Sequence, residues 1–139
     1  YGGVGLFTMP ITKKIGNEGH VHLVEISNHS ARDAFKIFKD YNNVSIHRGS
    51  VDRKLPKINN IDIIVLDPPR SGAGKKVIGQ IISKKPRAVV YISCDPASLA
   101  RDAKFLYDSG YKLDKIKAVD LFPMTHHIEC IVRFIPSTN

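Results

Sequence analysis

The sequence predicts an α/β fold built on an open, doubly wound and mostly parallel sheet, and three observations carry that prediction. Compact apolar runs at residues 21–26 (VHLVEI), 61–66 (IDIIVL) and 88–93 (AVVYIS) read as buried strands. Stretches of helical spacing lie between them, as crossovers between parallel strands require. The chain then closes on two consecutive strand patterns, 111–120 and 128–135, whose short connection sets the last strand antiparallel.

In order, a glycine-rich turn at residues 1–7 (YGGVGLF) leads into a helix, and strand 21–26 follows. Asn28 is suited to cap a helix running to about Asp40, with Ala31, Ala34, Phe35 and Phe38 on one face. Residues 44–47 form a short strand. Strand 61–66 ends at Asp67 and is stopped by Pro68 and Pro69. Residues 75–83 place Val77, Ile78, Ile81 and Ile82 at helical spacing, and strand 88–93 comes next. Asp95-Pro96 then opens a helix to about Ser109, with Pro96 in its first turn and Gly110 at its end.

A length of 139 residues fits one domain, 1–139, with a single core. At 42% hydrophobic and 24% charged, the chain is no disordered tail, collagenous repeat or disulfide scaffold. It has no basic-then-apolar signal segment, and no apolar run approaches the roughly 18 residues that span a bilayer. No membrane association is therefore expected, and the expected location is cytoplasmic. The first residue is Tyr1 rather than Met, so a processed start, an excised domain and an incomplete N-terminus all stay open.

The net charge of +8 points to a polyanionic partner. Residues 68–94 contain no Asp or Glu, while Arg70, Lys75, Lys76, Lys84, Lys85 and Arg87 all fall there. A solvated helix face accounts for this run as well as a phosphate-contacting surface does; the second would make binding strongly salt-dependent. Cys94 and Cys130 read as two free thiols. His126, His127 and Cys130 lie close together, but adjacent histidines serve one ion poorly and no C-x-x-C is present, so no metal is expected.

In such sheets ligands bind beyond the carboxyl ends of the strands, and four segments place unusual residues there. In the turn 1–7, small residues let backbone approach a ligand, but Thr8 stands where a dinucleotide fingerprint needs a third Gly after Gly3 and Gly5. Glu25 closes the next strand, where an acid can accept hydrogen bonds from both hydroxyls of an adenosine ribose; a capping or solvated carboxylate is the plainer reading. Ser50, after strand 44–47, is a polar group placed to meet an adenine amino group. Asp67, held by two prolines and followed by Arg70, is fixed beside whatever occupies the cleft. Cys94 sits between a strand end and a helix start, a place that favours the nucleophilic thiolate, although buried free cysteines are common. Glu129, inside the apolar run IECIVRFI, is either an edge residue facing water or a base held in the cleft. Cys130 packs as a small hydrophobe.

Taken together, YGGVGLF, VEIS, DPPRSGAG, YISCDPASLARD and DLFPMTHHIEC, in this order, resemble the RNA uracil-5-methyltransferases. These are the S-adenosylmethionine-dependent enzymes that make 5-methyluridine in tRNA and 23S rRNA. The match covers essentially the whole chain, and its last three motifs are highly specific. The resemblance implies a class I, Rossmann-like methyltransferase fold with S-adenosyl-L-methionine as cofactor, S-adenosyl-L-homocysteine as product and RNA as partner; it implies no protein partner. By the same resemblance Cys94 is the nucleophile that adds to C6 of uracil, and Glu129 is the base that removes the C5 proton. Asp67 matches the family's acid at the cofactor and target-base cleft, Glu25 holds the ribose, and the turn through Tyr1, Gly3, Gly5 and Leu6 passes the methionine portion. Gly2 stands where many members carry Cys, a change that bears on packing rather than chemistry.

The family's first strand should immediately precede Tyr1, and its upstream cofactor-contacting Gln segment, central domain and RNA-binding barrel have no counterpart in this chain. The resemblance therefore implies the C-terminal catalytic portion of a longer protein, its first strand truncated and its activity alone weak or nil. Two other readings compete. An amino-group methyltransferase would tolerate Asp67-Pro68-Pro69 but usually follows it with an aromatic residue rather than Arg70, and has no use for Cys94. A non-catalytic RNA- or cofactor-binding module would explain the truncation and the charge, but not both Cys94 and Glu129.

Overall fold

The computed structural model describes residues 1–120, 124 and 128–137. The chain divides into two compact units, Tyr1–Ile58 and Asn59–Asn139.

In the first unit the turn 1–7 leads into α1 (Thr8–Ile15), followed by β1 (Val21–Glu25), α2 (Asn28–Ile37), β2 (Val44–Arg48) and the short α3 (Val51–Lys54). β1 and β2 pair in parallel from Val21↔Val44 to Glu25↔Arg48. Leu23, Ala34 and Phe38 are buried, and Met9, Tyr41, Val44 and Ile46 pack against them. Ser27, not Asn28, caps α2: its Oγ accepts the Ser30 N–H at 3.3 Å, and Asn28 is already helical. Both residue types cap well. The choice is made by the Ser27 N–H, which donates to Glu25 Oε1 at 2.6 Å and holds Ser27 extended. The expected apolar face holds for Ala31, Ala34 and Phe38 but not for Phe35, which is 51% exposed. Phe35 is turned about 100° around the helix from Ala34, to the solvent side of the stripe that Ala31, Ala34 and Phe38 bury.

The second unit runs β3 (Ile63–Leu66), α4 (Gly74–Ser83), β4 (Ala88–Ser93), α5 (Pro96–Asp108), β5 (Tyr111–Val119) and β6 (Glu129–Pro136). Its sheet order is β3-β4-β6-β5. β3 and β4 are parallel, whereas β6 is antiparallel to both β4 and β5, so β3, β4 and β5 share one direction. The last strand is antiparallel as expected. Its insertion between β4 and β5 is new, because periodicity fixes a strand's faces and not its neighbours. Val89, Tyr91, Val132 and Phe134 occupy one face and are buried with Ile78, Ile81 and Leu106 from α4 and α5. The other face leaves Ile63, Val65 and Ile131 exposed, so within this unit the helices cover one side. Among the described residues β1 has a single strand neighbour, as does β3, which leaves one open edge on each.

Candidate functional site

At the carboxyl end of β1 the Glu25 carboxylate is 8% exposed and works as a backbone anchor. Oε2 accepts the Gly3 N–H at 2.8 Å, and Oε1 accepts the Ser27 N–H. The backbone nitrogens of Tyr1 and Gly2 both donate to the Val24 carbonyl, at 2.8 and 2.9 Å, which pins the turn beside the strand end. Gly49 N–H donates to the Glu25 carbonyl at 2.8 Å and so fixes the loop that carries Ser50. Ser50 is the N-cap of α3, half-buried, and its side chain makes no capping bond.

The two glycines of the turn answer to different demands. Gly3 has φ +54°, and a Cβ there would meet nothing within 4 Å. Gly5 has φ +101°, and a Cβ would lie 2.3 Å from Phe38 Cε2. Packing on Phe38 therefore accounts for Gly5 without any ligand. Leu6 stands 75% exposed at the end of the turn. The structure thus gathers Tyr1, Gly3, Glu25 and the Ser50 loop around the ends of β1 and β2. Each Glu25 oxygen carries one N–H and retains lone-pair capacity, so the carboxylate can still accept from a vicinal diol.

The second unit holds the other predicted residues. Asp67 follows β3 directly; it reaches solvent, yet desolvation by surrounding protein raises its carboxyl pKa above the ordinary value. Pro68 is buried behind it, and the next turn closes with Gly72 N–H donating to the Pro69 carbonyl at 2.8 Å. Cys94 is half-buried at the tip of a tight turn after β4. Ser93 Oγ accepts the Asp95 N–H at 3.1 Å and donates to the Asp95 carbonyl at 2.9 Å. Asp95 caps α5, its Oδ2 accepting the Ser98 N–H at 2.7 Å, and the bonds from Ser98 hold its carboxyl below the usual range.

Strand register brings the thiol and the second carboxylate together. The β4–β6 ladder ends at Ser93↔Cys130. Cys94 leaves β4 just after that last rung, and Glu129, the half-buried first residue of β6, stands just before it. Asp67 is one strand over, since β3 neighbours β4 and their pairing ends at Leu66↔Tyr91. Asp67, Cys94 and Glu129 therefore share the edge of the sheet at which β3 and β4 end. Cys130 is buried, as expected.

The acid-free stretch is not one patch. Lys75 and Lys76 lie in the first turn of α4, next to the Asp67 loop, whereas Lys84, Lys85 and Arg87 follow its last turn. A ten-residue helix separates the two groups by about 15 Å. His126 and His127 lie outside the described residues, and among the described residues no three His, Cys, Asp or Glu side chains group as a metal centre. Sequence reasoning passed over Asp102, a fully buried acid on α5 that ties down the loop after Asp67. The signal was present: Leu99, Asp102 and Leu106 share helical spacing, and an acid on an apolar stripe needs partners.

A model of the tRNA (Uracil-5-)-methyltransferase family matches residues 1–135. An uncharacterized RNA methyltransferase of Streptomyces avermitilis is 43% identical over 141 residues, which is 100% of this chain and 33% of that protein. One from Bifidobacterium longum is 39% identical over 140 residues, covering 96% and 32%. The chain thus spans about a third of the length of the curated relatives it matches. Among solved structures, the tRNA (uracil-54, C5)-methyltransferase of Pyrococcus abyssi, in complex with S-adenosyl-L-homocysteine, matches with a TM-score of 0.80 at 28% identity, over 97% of this chain and 33% of that one. The precorrin-6y C5,15-methyltransferase of Geobacter metallireducens, at 14% identity, a TM-score of 0.78 and coverage of 98% and 76%, shares the fold alone. The architecture is the class I, Rossmann-like methyltransferase fold. By both sequence and structure, this chain belongs to the tRNA (uracil-5-)-methyltransferase family.

Proposed function

We propose that the protein containing this chain methylates C5 of a uridine in RNA, tRNA or 23S rRNA, with Cys94 as nucleophile and Glu129 as base. The observation that supports this most is the register: in a member of this family, β4 and β6 pair up to Ser93↔Cys130, which brings the Cys94 turn and the Glu129 carboxylate to the same end of the sheet.

Uracil C5 is a poor nucleophile until C6 is attacked. The Cys94 thiolate would add to C6, and the electron pair of the C5–C6 double bond shifts toward the C4 carbonyl, leaving C5 enolate-like. S-adenosyl-L-methionine would supply the electrophilic methyl group that C5 accepts. Glu129 would then take the C5 proton; the electrons of that C–H bond restore the C5–C6 double bond, and Cys94 leaves as thiolate. The target base would have to leave its stack to reach the half-buried Cys94 thiol.

The residues of the first unit fit the cofactor. Glu25 is buried, oriented by two backbone N–H groups and able to accept from a ribose diol, while the open space beside Gly3 admits a ligand. Tyr1 and Leu6 would flank the methionine portion and Ser50 the adenine; Asp67, at the end of β3, would be the acid near the target base. A cytoplasmic site of action accords with an RNA substrate; no helix among the described residues is long and apolar enough to cross a membrane.

The decisive experiment uses the complete gene product with RNA carrying 5-fluorouridine, in which the C5 substituent cannot leave as a proton. Cys94 should become covalently attached to the RNA, Cys94→Ala should lose both the adduct and methyl transfer, and Glu129→Gln should retain the adduct but fail to release normal RNA. Methyl transfer by Cys94→Ala would overturn the reading.

A further inference from the structure

We propose that Asp102 is a positioning residue for methyl transfer: its carboxylate ties the loop that follows Asp67 to the helix that follows Cys94. Asp102 lies on α5 and is 0% exposed. Its Oδ2 accepts three donors, the Ala73 N–H at 2.7 Å, the Gly74 N–H at 3.1 Å and the Tyr91 hydroxyl at 2.8 Å. Its Oδ1 accepts Arg101 Nε and Nη2 at 3.1 and 3.0 Å. Arg101 Nη2 also donates to the Ser71 carbonyl at 2.7 Å, so acid and base grip the same loop from both of its polar backbone faces.

Every tie leads to a strand end of the site. Tyr91 lies on β4 shortly before Cys94, and its hydroxyl also accepts the Ala73 N–H at 3.2 Å. Burial, followed by the bond to Asp102, pushes the Tyr91 phenol well above its usual range, which keeps it a donor. Gly72 lets the loop close over the carboxylate: with φ +79°, a Cβ there would fall 2.7 Å from Asp102 Oδ2 and 2.5 Å from Arg101 Nη2.

A role limited to packing does not call for this chemistry. Leu99 and Leu106 flank Asp102 along α5, and a third apolar residue would fill that stripe without desolvating a charge. What the carboxylate adds is direction. It binds backbone donors at defined points of the loop, so it sets where residues 71–74, and the Asp67 end of the same loop, stand relative to the Cys94 turn. Reaction geometry is sensitive to such placement, since a shift of about 1 Å can lower a rate by about a hundredfold.

The proposal rests on the Cys94 reading above, and the test separates the two. In the complete gene product, Asp102→Asn keeps the side chain's size but loses its charge and one acceptor. The expected result is a kcat for methylation of transcribed tRNA and 23S rRNA lowered by about tenfold or more. The KM for RNA and the affinity for S-adenosyl-L-homocysteine should stay within about twofold, a split that simple destabilisation does not produce. Attachment of 5-fluorouridine RNA to Cys94 should slow in parallel. Gly72→Ala, which disturbs the same contact while leaving the carboxylate in place, should give the same kcat loss, and the double variant should be no worse than the poorer single one. If Asp102→Asn does not fold, Gly72→Ala alone decides. A kcat within twofold of the parent in the folded variants, or losses that multiply as if independent, overturns the role of Asp102. Methyl transfer by Cys94→Ala would instead remove the reading beneath it.

Discussion

Replacing Gly5 with Ala tests whether the turn 1–7 is shaped by its own fold or by a ligand. Gly5 has φ +101°, and the added methyl would meet Phe38 Cε2 at 2.3 Å and Cζ at 2.7 Å. Carbon pairs prefer about 3.5–4.0 Å. The ring cannot retreat into solvent, because Phe38 is 4% exposed and part of the first unit's core. Overpacking of this kind costs about 1–3 kcal/mol, and the backbone conformation costs a similar amount for a non-glycine residue. A unit of this length, Tyr1–Ile58, has a stability of about 3–9 kcal/mol at typical values per residue, so the change removes much of it. Gly3→Ala is the control: it also carries a positive φ but meets no atom within 4 Å. The difference between the two variants contains the Phe38 overlap, about 1–3 kcal/mol, together with the greater backbone cost at φ +101° than at +54°, so the gap in Tm is at least about 4 °C. Scanning fluorimetry gives the midpoints, and amide exchange across β1 and β2 assigns the transition to this unit. Adding Phe38→Leu should recover part of the Gly5→Ala loss through a coupling of at least about 0.5 kcal/mol. Equal midpoints for Gly3→Ala and Gly5→Ala, with no coupling to Phe38, would refute the packing argument.

Glu25→Gln should weaken S-adenosyl-L-homocysteine binding by about tenfold or more, since a hydrogen bond to a charged group contributes about 1.5–3 kcal/mol; calorimetry reads this, and unchanged affinity would place the cofactor elsewhere. His22 and His47 share a 3.0 Å Nδ1···Nε2 contact beside His20. Burial, then the charges of His20 and His47, holds His22 below 6.5; burial, then Lys54, does so for His47. Their folded pKa values lie below the unfolded ones, so the unfolded chain binds more protons and stability falls as pH drops below about 6.5. Tm should decline between about pH 7.5 and 5.5, and less steeply in a His22→Asn, His47→Asn variant. For RNA binding, Lys75→Gln with Lys76→Gln should reduce the slope of log affinity against log salt by about 1–2, while Lys84→Gln with Lys85→Gln leaves it unchanged; filter binding over a salt series distinguishes them.

The fold was largely legible because the strands carry strong local signals. Residues 88–93 form β4 over the expected range, and Asp95, Pro96 and Gly110 bracket α5 as cap, first residue and terminus. Register was not legible. Nothing in the run IECIVRFI says that it pairs with β4 as well as β5, and only that pairing brings Glu129 to the end of β4 that Cys94 follows. Charge placement was not legible for a similar reason: six basic residues within one acid-free stretch are parted by the length of α4, so they form two groups at opposite helix ends.

The acids show most clearly what a one-dimensional reading omits. Glu25 and Asp102 both turn out to accept backbone N–H groups from loops at strand ends, Gly3 and Ser27 in one case, Ala73 and Gly74 in the other. Loops at a ligand edge have no strand beside them, so their amides need acceptors from elsewhere, and a carboxylate supplies strong, charge-assisted ones. The two then diverge through residual capacity. Asp102 is 0% exposed and has a donor on every side, including Tyr91 and Arg101, so it has no capacity left for a ligand and can act only through the loop it holds. Glu25 is 8% exposed with one backbone donor on each oxygen, so it can hold its loop and bind a diol together. An acid with every lone pair taken and an acid that anchors with capacity to spare look alike in sequence; what separates them is how many donors the fold has already brought to each oxygen.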